Sequence, residues 1–329
     1  MNKNKNIVMN LQRFADSDPM VTRNDADPLI PVEEAKEIIQ GAIEASAVLS
    51  LGRRLPNMTS KQYRMPVLDM LPVAYFVNGD NGRKKITKMA WDKKFIVAEE
   101  IAVIVPISEA VLDDSEYDIW AEAKPLLKQA FGQVIDGAIF FNDNKPASWR
   151  NGLVNTAVAA GNVVTLGTGN DLYDDLLGEG GTISKVEEDG FFVTGHVADV
   201  SMRSKLRGLR DANGQPLFTK EPQNKTDYSL DGSAINFPRN GAWDKSQALM
   251  VSGDFSELVY SVRQDITFKL FTEGVVQDPS TGEILYNLMQ NDMVALRAVM
   301  RLGWEIPNPI NPISQNKEER CPFSVLKNA

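Results

Sequence analysis

The sequence predicts an α+β fold, and three stretches carry that expectation. The first is one long amphipathic helix, Ser115 to Asn142. Ile119, Trp120, Ala123, Leu126, Leu127, Ala130, Phe131, Val134, Ile135, Ala138 and Ile139 recur there at spacings of three and four, which makes a single apolar stripe on a 3.6-residue period. The second is Asn291 to Ile306, where Val294, Leu296, Ala298, Met300, Leu302, Trp304 and Ile306 occupy every second position, the period of a strand with one buried and one solvated face. The third is Lys61 to Ile107, two strand-like limbs around the tip N-G-D-N-G, Asn78 to Gly82, whose Asn-Gly steps accept positive φ.

In chain order, residues 1–32 have no strong period and are punctuated by Pro19, Pro28 and Pro31, so an extended arm is expected. A short helix follows from Val32 to Leu49, stopped at Gly52. The ascending limb of the hairpin contains Pro66 and Pro72, which suit an edge strand or an irregular one. The descending limb runs from Arg83 to Pro106. Its first part, Arg83 to Lys94, holds six basic residues and one acid, Asp92. A two-stranded ribbon is marginal in water, so a ribbon this basic either lies on an acidic surface or is an edge that lysines protect from aggregation.

Ser108 to Asp114 reads as a short helix. In the spine helix Ser115 suits the N-cap, Glu116 and Asp118 complement the positive end of the dipole, and Pro125 removes one internal hydrogen bond and bends the axis. At 1.5 Å per residue the spine is about 40 Å long, a support on which a sheet can lie. After Phe141 the composition turns to Gly and Asn as far as Asn170, a domain boundary. The next hundred residues alternate: helix Asp171–Glu188, strand Phe191–Thr194, helix Val200–Leu209, a polar excursion Gln215–Trp243, strand Ala248–Val251, short helix Phe255–Val259 and strand Ile266–Phe271. That order suits a compact α/β domain. The stripe of the spine is the expected backing of the long strand 291–306. The tail from Pro307 to Ala329, rich in Pro and Asn, is expected to be extended or partly disordered.

Composition narrows the function. The 329 residues are 43% hydrophobic and 24% charged, as in a soluble globular protein, and no apolar run reaches the roughly 18 residues of a membrane span. Met1 to Asn10 lacks a secretory apolar region. One cysteine, Cys321, and one histidine, His196, leave no disulfide framework, no Cys/His metal cluster and no serine triad. Cys321 is expected to be an unremarkable thiol in the tail. G-E-G-G at Gly178–Gly181 lacks the Lys-Ser/Thr of a phosphate loop and reads as a turn. Of the acid pairs Glu99/Glu100, Asp113/Asp114, Asp174/Asp175 and Glu187/Glu188, most are expected to be solvated charges. No enzymatic activity and no cofactor are therefore expected. A net charge of −9 argues against tight general binding to nucleic acid.

The order of these elements resembles the major capsid proteins of tailed bacteriophages with the Hong Kong 97-type fold. The resemblance runs from about Leu29 to Pro307. It is carried by K-M-A-W-D-K-K-F-I-V-A-E-E-I-A-V-I-V-P-I-S-E-A-V-L-D-D-S (Lys88–Ser115), A-I-F-F-N (Ala138–Asn142), V-S-G-D-F-S-E-L-V-Y (Val251–Tyr260) and N-D-M-V-A-L-R-A (Asn291–Ala298). It implies an N-terminal arm at 1–32 and an extended loop, the hairpin, at 61–94. It implies a peripheral domain from 33–60, 95–150 and 276–312 that contains the spine helix, an axial domain at 151–275 and a C-terminal tail at 313–329.

The function so implied is self-assembly into hexamers and pentamers of an icosahedral phage head around double-stranded DNA, within the host bacterial cytoplasm. Partners would be copies of itself, a scaffold protein, a portal protein and DNA in weak non-specific contact, with no membrane. An encapsulin-like nanocompartment shell is the alternative. N-L-Q-R-F-A, Asn10–Ala15, resembles the leader of capsid proteins from phages of Gram-positive hosts. That match implies cleavage of the Phe14–Ala15 bond by a host cysteine protease, so that residues 1–14 are a leader; an uncut arm is the other reading. From charge alone, the basic limb Lys84, Lys85 and Lys88 is expected to reach over the acidic cluster Asp113, Asp114, Glu116 and Asp118 of a neighbouring subunit.

Overall fold

The computed structural model describes residues 46–76, 84, 86–113, 119–209, 228–313 and 316–328. The arm, the hairpin tip and the start of the spine lie outside these residues. Helices and sheets are mixed, as the α+β expectation requires.

The described chain begins with α1 (Ala47–Leu51), N-capped by the Ser46 hydroxyl and closed at Gly52, whose N–H donates to the Val48 carbonyl. Then come β1 (Arg53–Arg54), β2 (Gln62–Met70), β3 (Ala90–Val97), β4 (Glu99–Ser108), α2 (Glu109–Asp113) and the spine α3 (Ile119–Phe141) with Pro125 inside it. The next part holds α4 (Leu153–Ala159), β5 (Val163–Thr165), α5 (Leu172–Leu177), α6 (Thr182–Glu188), β6 (Gly195–Ala198), α7 (Met202–Gly208), β7 (Ser229–Leu230), β8 (Ser233–Asn236) and β9 (Met250–Gly253). A 3₁₀ turn (Phe255–Glu257) leads to β10 (Val259–Phe271), β11 (Val275–Gln277), β12 (Ile284–Asn287), β13 (Met293–Glu305) and β14 (Phe323–Lys327).

The strands form a four-stranded sheet of order β1-β10-β13-β4, a six-stranded sheet of order β5-β14-β9-β6-β8-β7, and the ribbons β2-β3 and β11-β12. The described residues divide into two compact units: 101–113, 119–126 and 266–300 in one, and 46–76, 84, 86–100, 127–209, 228–265, 301–313 and 316–328 in the other. In the first, Leu288, Met293 and Ala295 form a small core with Phe271, Val276 and Tyr286, and the Arg297 guanidinium lies 4.8 Å from the centre of the Phe271 ring. In the second, the six-stranded sheet encloses Leu176, Ile183, Met202, Leu206, Met250 and Leu326, all buried. Each such side chain contributes roughly 1.5–3 kcal/mol by leaving water.

Several expectations need correction. The long strand β13 does not have a solvated face: only Arg297, Arg301 and Glu305 are partly exposed, and Met293, Ala295 and Val299 are as buried as the alternating set. It is a central strand, between β10 and β4, and central strands can be covered on both sides. The hairpin does not run to Ile107. Its descending limb breaks at Ala98, whose N–H donates to Lys61, and β4 joins the four-stranded sheet instead.

The described tail is extended in part, as one of the two expectations has it, and the extended part is a core strand. β14 sits between β5 and β9, with Phe323, Val325 and Leu326 fully buried, because its apolar run F-S-V-L completes a sheet made earlier in the chain. The Gly/Asn-rich passage 142–170 contains α4 and β5. Phe191–Thr194 is not a strand; the strand begins at Gly195. The helical pattern at 171–188 is two helices divided by the Gly178–Gly181 turn. Phe255–Val259 is a single 3₁₀ turn that leads straight into β10.

Candidate assembly surface

The ribbon β2-β3 is built by antiparallel pairing from Gln62↔Val97 to Leu68↔Trp91, with an irregularity between Leu68 and Met70. Side chains opposite one another share a face. One face presents Tyr63, Met65 and Val67 against Asp92, Lys94 and Ile96; here Val67 and Ile96 are buried. The other presents Arg64, Pro66 and Leu68 against Trp91, Lys93 and Phe95. On that face Trp91 is 63% and Phe95 46% exposed. Large aromatics so placed are the unusual feature of the surface, since scattered apolar exposure is ordinary but paired rings at a strand face are not. Beyond the ribbon, Val73, Tyr75, Phe76, Ile86 and Met89 are exposed as well.

The root of the ribbon is held from several directions. Gly303 of β13 lets it approach closely: a Cβ there would lie 2.5 Å from the Val97 carbonyl oxygen and 2.8 Å from the Ile96 side chain. Glycine in a strand interior often marks such an approach. The Trp149 indole N–H donates to the same Val97 carbonyl at 3.0 Å, and Trp149 meets Trp304 edge to face. Lys94 Nζ donates to the Ile306 carbonyl at 3.0 Å. Arg150 pairs with Glu305 at 2.7 Å and donates to the same Ile306 carbonyl at 3.1 Å.

Lys317 then clasps both strands of the ribbon, reaching Asp69 at 2.8 Å and Asp92 at 2.7 Å. The lysine hydrogen bond holds the Asp92 carboxyl below its ordinary range, and the two carboxylates raise the Lys317 ammonium. Burial lowers Lys94, opposed chiefly by Glu305. At the start of β4, Glu99 accepts from Ser148 at 2.7 Å and lies 3.5 Å from Lys61; Glu100 is bound by Arg301. The pair Glu99/Glu100 is thus partnered rather than solvated.

Asp136 anchors the spine. Although nearly inaccessible, its carboxylate accepts from Ser46 Oγ at 2.6 Å, the N–H groups of Ala47 and Val48, and Asn240 Nδ2 at 2.7 Å. Burial raises its pKa against the pull of those four donors. Asp175 corrects the solvated reading of its pair: it is buried and accepts from the N–H groups of Gly167 and Gly169, both at 2.7 Å. His196 is wholly buried between Ser252 Oγ and the Leu230 carbonyl, and burial drives its pKa down to about 4. Cys321, the thiol in the tail, is enclosed, and its pKa is pushed up to about 12 by burial. Among the described residues no group of three His, Cys, Asp or Glu could hold a metal ion, and no helix is long and apolar enough to cross a membrane.

Of the residues singled out by charge, Lys84, Lys88 and Asp113 are exposed. Lys85, Asp114, Glu116 and Asp118, and the leader pair Phe14 and Ala15, lie outside the described residues. The charge argument missed Trp91 and Phe95, and it missed the Lys317 clasp. The first had a signal, since Trp91, Lys93 and Phe95 occupy alternate positions in W-D-K-K-F. The second had none, because Lys317 is more than two hundred residues from Asp92.

Comparison with known proteins agrees with this architecture. The chain is 24% identical to the major capsid protein of Staphylococcus phage 80alpha over 93% of each chain. A solved structure from Microbacterium phage Oxtober96 is 35% identical and superposes with a TM-score of 0.76 over 94% of this chain and 96% of that one. One from Mycobacterium phage Cain is 31% identical, with a TM-score of 0.74 over 94% and 98%. These relatives favour a phage shell over a nanocompartment. The model of the phage capsid family matches residues 26–313, and the chain belongs to that family: it is a phage major capsid protein of the Hong Kong 97-type fold.

Proposed function

We propose that copies of this chain close into hexamers and pentamers of an icosahedral head around double-stranded DNA, each subunit laying its ribbon on the next. The observation that carries this reading is the ribbon itself. It is two strands wide and exposes aromatic and basic side chains that a lone subunit leaves in water. A ribbon of that kind is marginal by itself, and a neighbouring copy is the surface that completes it. Its basic segment, including Lys84, Lys85 and Lys88, faces the acidic cluster Asp113, Asp114, Glu116 and Asp118 of that neighbour in this reading.

The 24% identical Staphylococcus phage capsid protein supports the wider assignment. In the reading proposed here, a scaffold and a portal protein are the assembly partners, assembly takes place in the host cytoplasm, and DNA is held weakly, as a chain of net charge −9 would hold it. A host cysteine protease cuts between Phe14 and Ala15, and the peripheral and axial domains follow the boundaries given above.

The double variant Lys84→Glu with Lys85→Glu tests the ribbon contact. Each surface pair contributes only about 0–1 kcal/mol, but the contact recurs at every interface, so shell yield on co-expression with scaffold falls while the melting temperature of the subunit stays the same. Normal shells from the double variant would sink the electrostatic contact. Intact mass of shells made with and without the protease reads the leader cut; an uncut chain in both removes it.

A further inference from the structure

We infer that residues 316–328 form a strap that makes the seating of β14 in the six-stranded sheet and the clasping of the ribbon root a single event within one subunit. One end of the strap is Lys317, held by Asp69 of β2 and Asp92 of β3. The other end is β14, paired with β5 on one side and β9 on the other. There the Ser324 hydroxyl also donates to the Thr182 carbonyl at 2.6 Å. The two ends belong to different elements, the ribbon and the sheet, and the strap runs directly from one to the other.

The connection has no slack. Arg320 to Leu326 are all buried, and from Arg320 to Pro322 every main-chain donor and acceptor is bonded. The Arg320 N–H donates to the Asn316 carbonyl, and the Arg320 carbonyl accepts from Asn308 Nδ2 at 2.9 Å. The Cys321 N–H donates to Asp189 Oδ2 at 2.9 Å, and the Cys321 carbonyl accepts from Asn162 Nδ2 at 3.2 Å. Pro322 has a fixed φ and no N–H; its carbonyl accepts from the Asp254 N–H. The Arg320 guanidinium adds two bonds to Asn308, to Oδ1 at 2.9 Å and to the carbonyl at 3.0 Å. A strap pulled out part-way would leave these buried groups without partners, which is costly for an amide and more so for a guanidinium. The segment therefore has two states, seated along its length or withdrawn along its length, and both ends bias the same equilibrium. Such coupling is reciprocal: loosening the ribbon end loosens the strand.

Amide exchange of the full chain as unassembled subunits, read by mass spectrometry, tests this with Lys317→Met, which removes the charge at the ribbon end and leaves β14 unaltered. Exchange of the β14 amides rises about fivefold, the upper worth of an exposed ion pair, while β6 in the same sheet keeps its rate. Unchanged exchange in β14 overturns the strap. Equal acceleration of β14 and β6 overturns it too, because that is a general loss of stability rather than a transmitted one. A second variant inserts Gly-Gly-Ser between Glu318 and Glu319, both exposed, and so gives the strap slack. In that background Lys317→Met no longer changes β14; an effect that persists travels by another route and overturns the inference. Should the insertion prevent folding, the comparison of β14 with β6 in Lys317→Met alone still decides.

Discussion

The six-stranded sheet and the ribbon β2-β3 are both made of strands, but they are stabilised in opposite ways. In the sheet, Leu176, Met202, Leu206, Met250 and Leu326 are removed from water by their own chain. In the ribbon, two buried side chains, Val67 and Ile96, are supplemented by polar fastenings at the root, and the rings of the outer face are left in solvent. The sheet needs nothing further to be stable. The ribbon is held in position by geometry and charge, so its remaining apolar surface is available to another molecule. One chain thus contains a region whose apolar side chains folding encloses and a region whose rings folding leaves exposed.

Mutation can break that comparison. Leu326→Ala opens a cavity in the sheet and costs about 2–5 kcal/mol, read as a fall in the denaturation midpoint. An unchanged midpoint would mean that the sheet is not the stable body described here. The same chemistry applied to the exposed Trp91 leaves subunit stability within about 0.5 kcal/mol.

The buried histidine sharpens the same contrast through pH. His196 has an ordinary pKa of 6.5 and a folded value of about 4, so between those values the unfolded chain binds more protons than the folded one. Stability is complete above pH 6.5 and falls as the solution is acidified toward 4, by on the order of 3 kcal/mol. A His196→Gln variant lacks that acid slope; chemical denaturation at a series of pH values measures it, and an unchanged slope in the variant assigns the loss to other groups.

The smallest global effect belongs to the ribbon. Lys317→Met removes an exposed clasp, so the denaturation midpoint moves by no more than about 1 kcal/mol, while amide exchange at β2 and β3 accelerates. The clasp depends on both charges. The lowered Asp92 keeps it intact as pH falls through the ordinary carboxylate range, and the raised Lys317 keeps it intact as pH rises past its usual range. Protection of the ribbon amides, relative to their intrinsic exchange rate at each pH, is therefore flat across neutral pH and falls at strong acid. Unchanged exchange in Lys317→Met would show that Gly303, Trp149 and Lys94 suffice to hold the root.

Local patterns were sufficient for most elements. The stripe from Ile119 to Ile139 foretold the helix, and the alternation from Val294 to Trp304 foretold β13, because side-chain period depends only on backbone geometry. The helix start at Ser115 lies outside the described residues, whereas its end at Phe141 agrees within one residue of the expected Asn142. Burial was less legible. Met293, Ala295 and Val299 read as the solvent face until β13 is seen between two strands. The terminal residues are extended at Phe323–Lys327, as Pro and Asn allow, but nothing local shows that F-S-V-L is drawn into the sheet between β5 and β9.

The sequence by itself determined the periods, the placement of charge and the family resemblance, since each depends on residues near one another or on an order along the chain. Tertiary structure alone decided which face of each strand is enclosed and which charges are partnered. Lys317 with Asp69 and Asp92, Asp136 with Ser46 and Asn240, and Gly303 under Val97 are pairings across tens to hundreds of residues. No local pattern encodes such a distance, because the free energy of bringing the two ends together resides in the packing of everything between them.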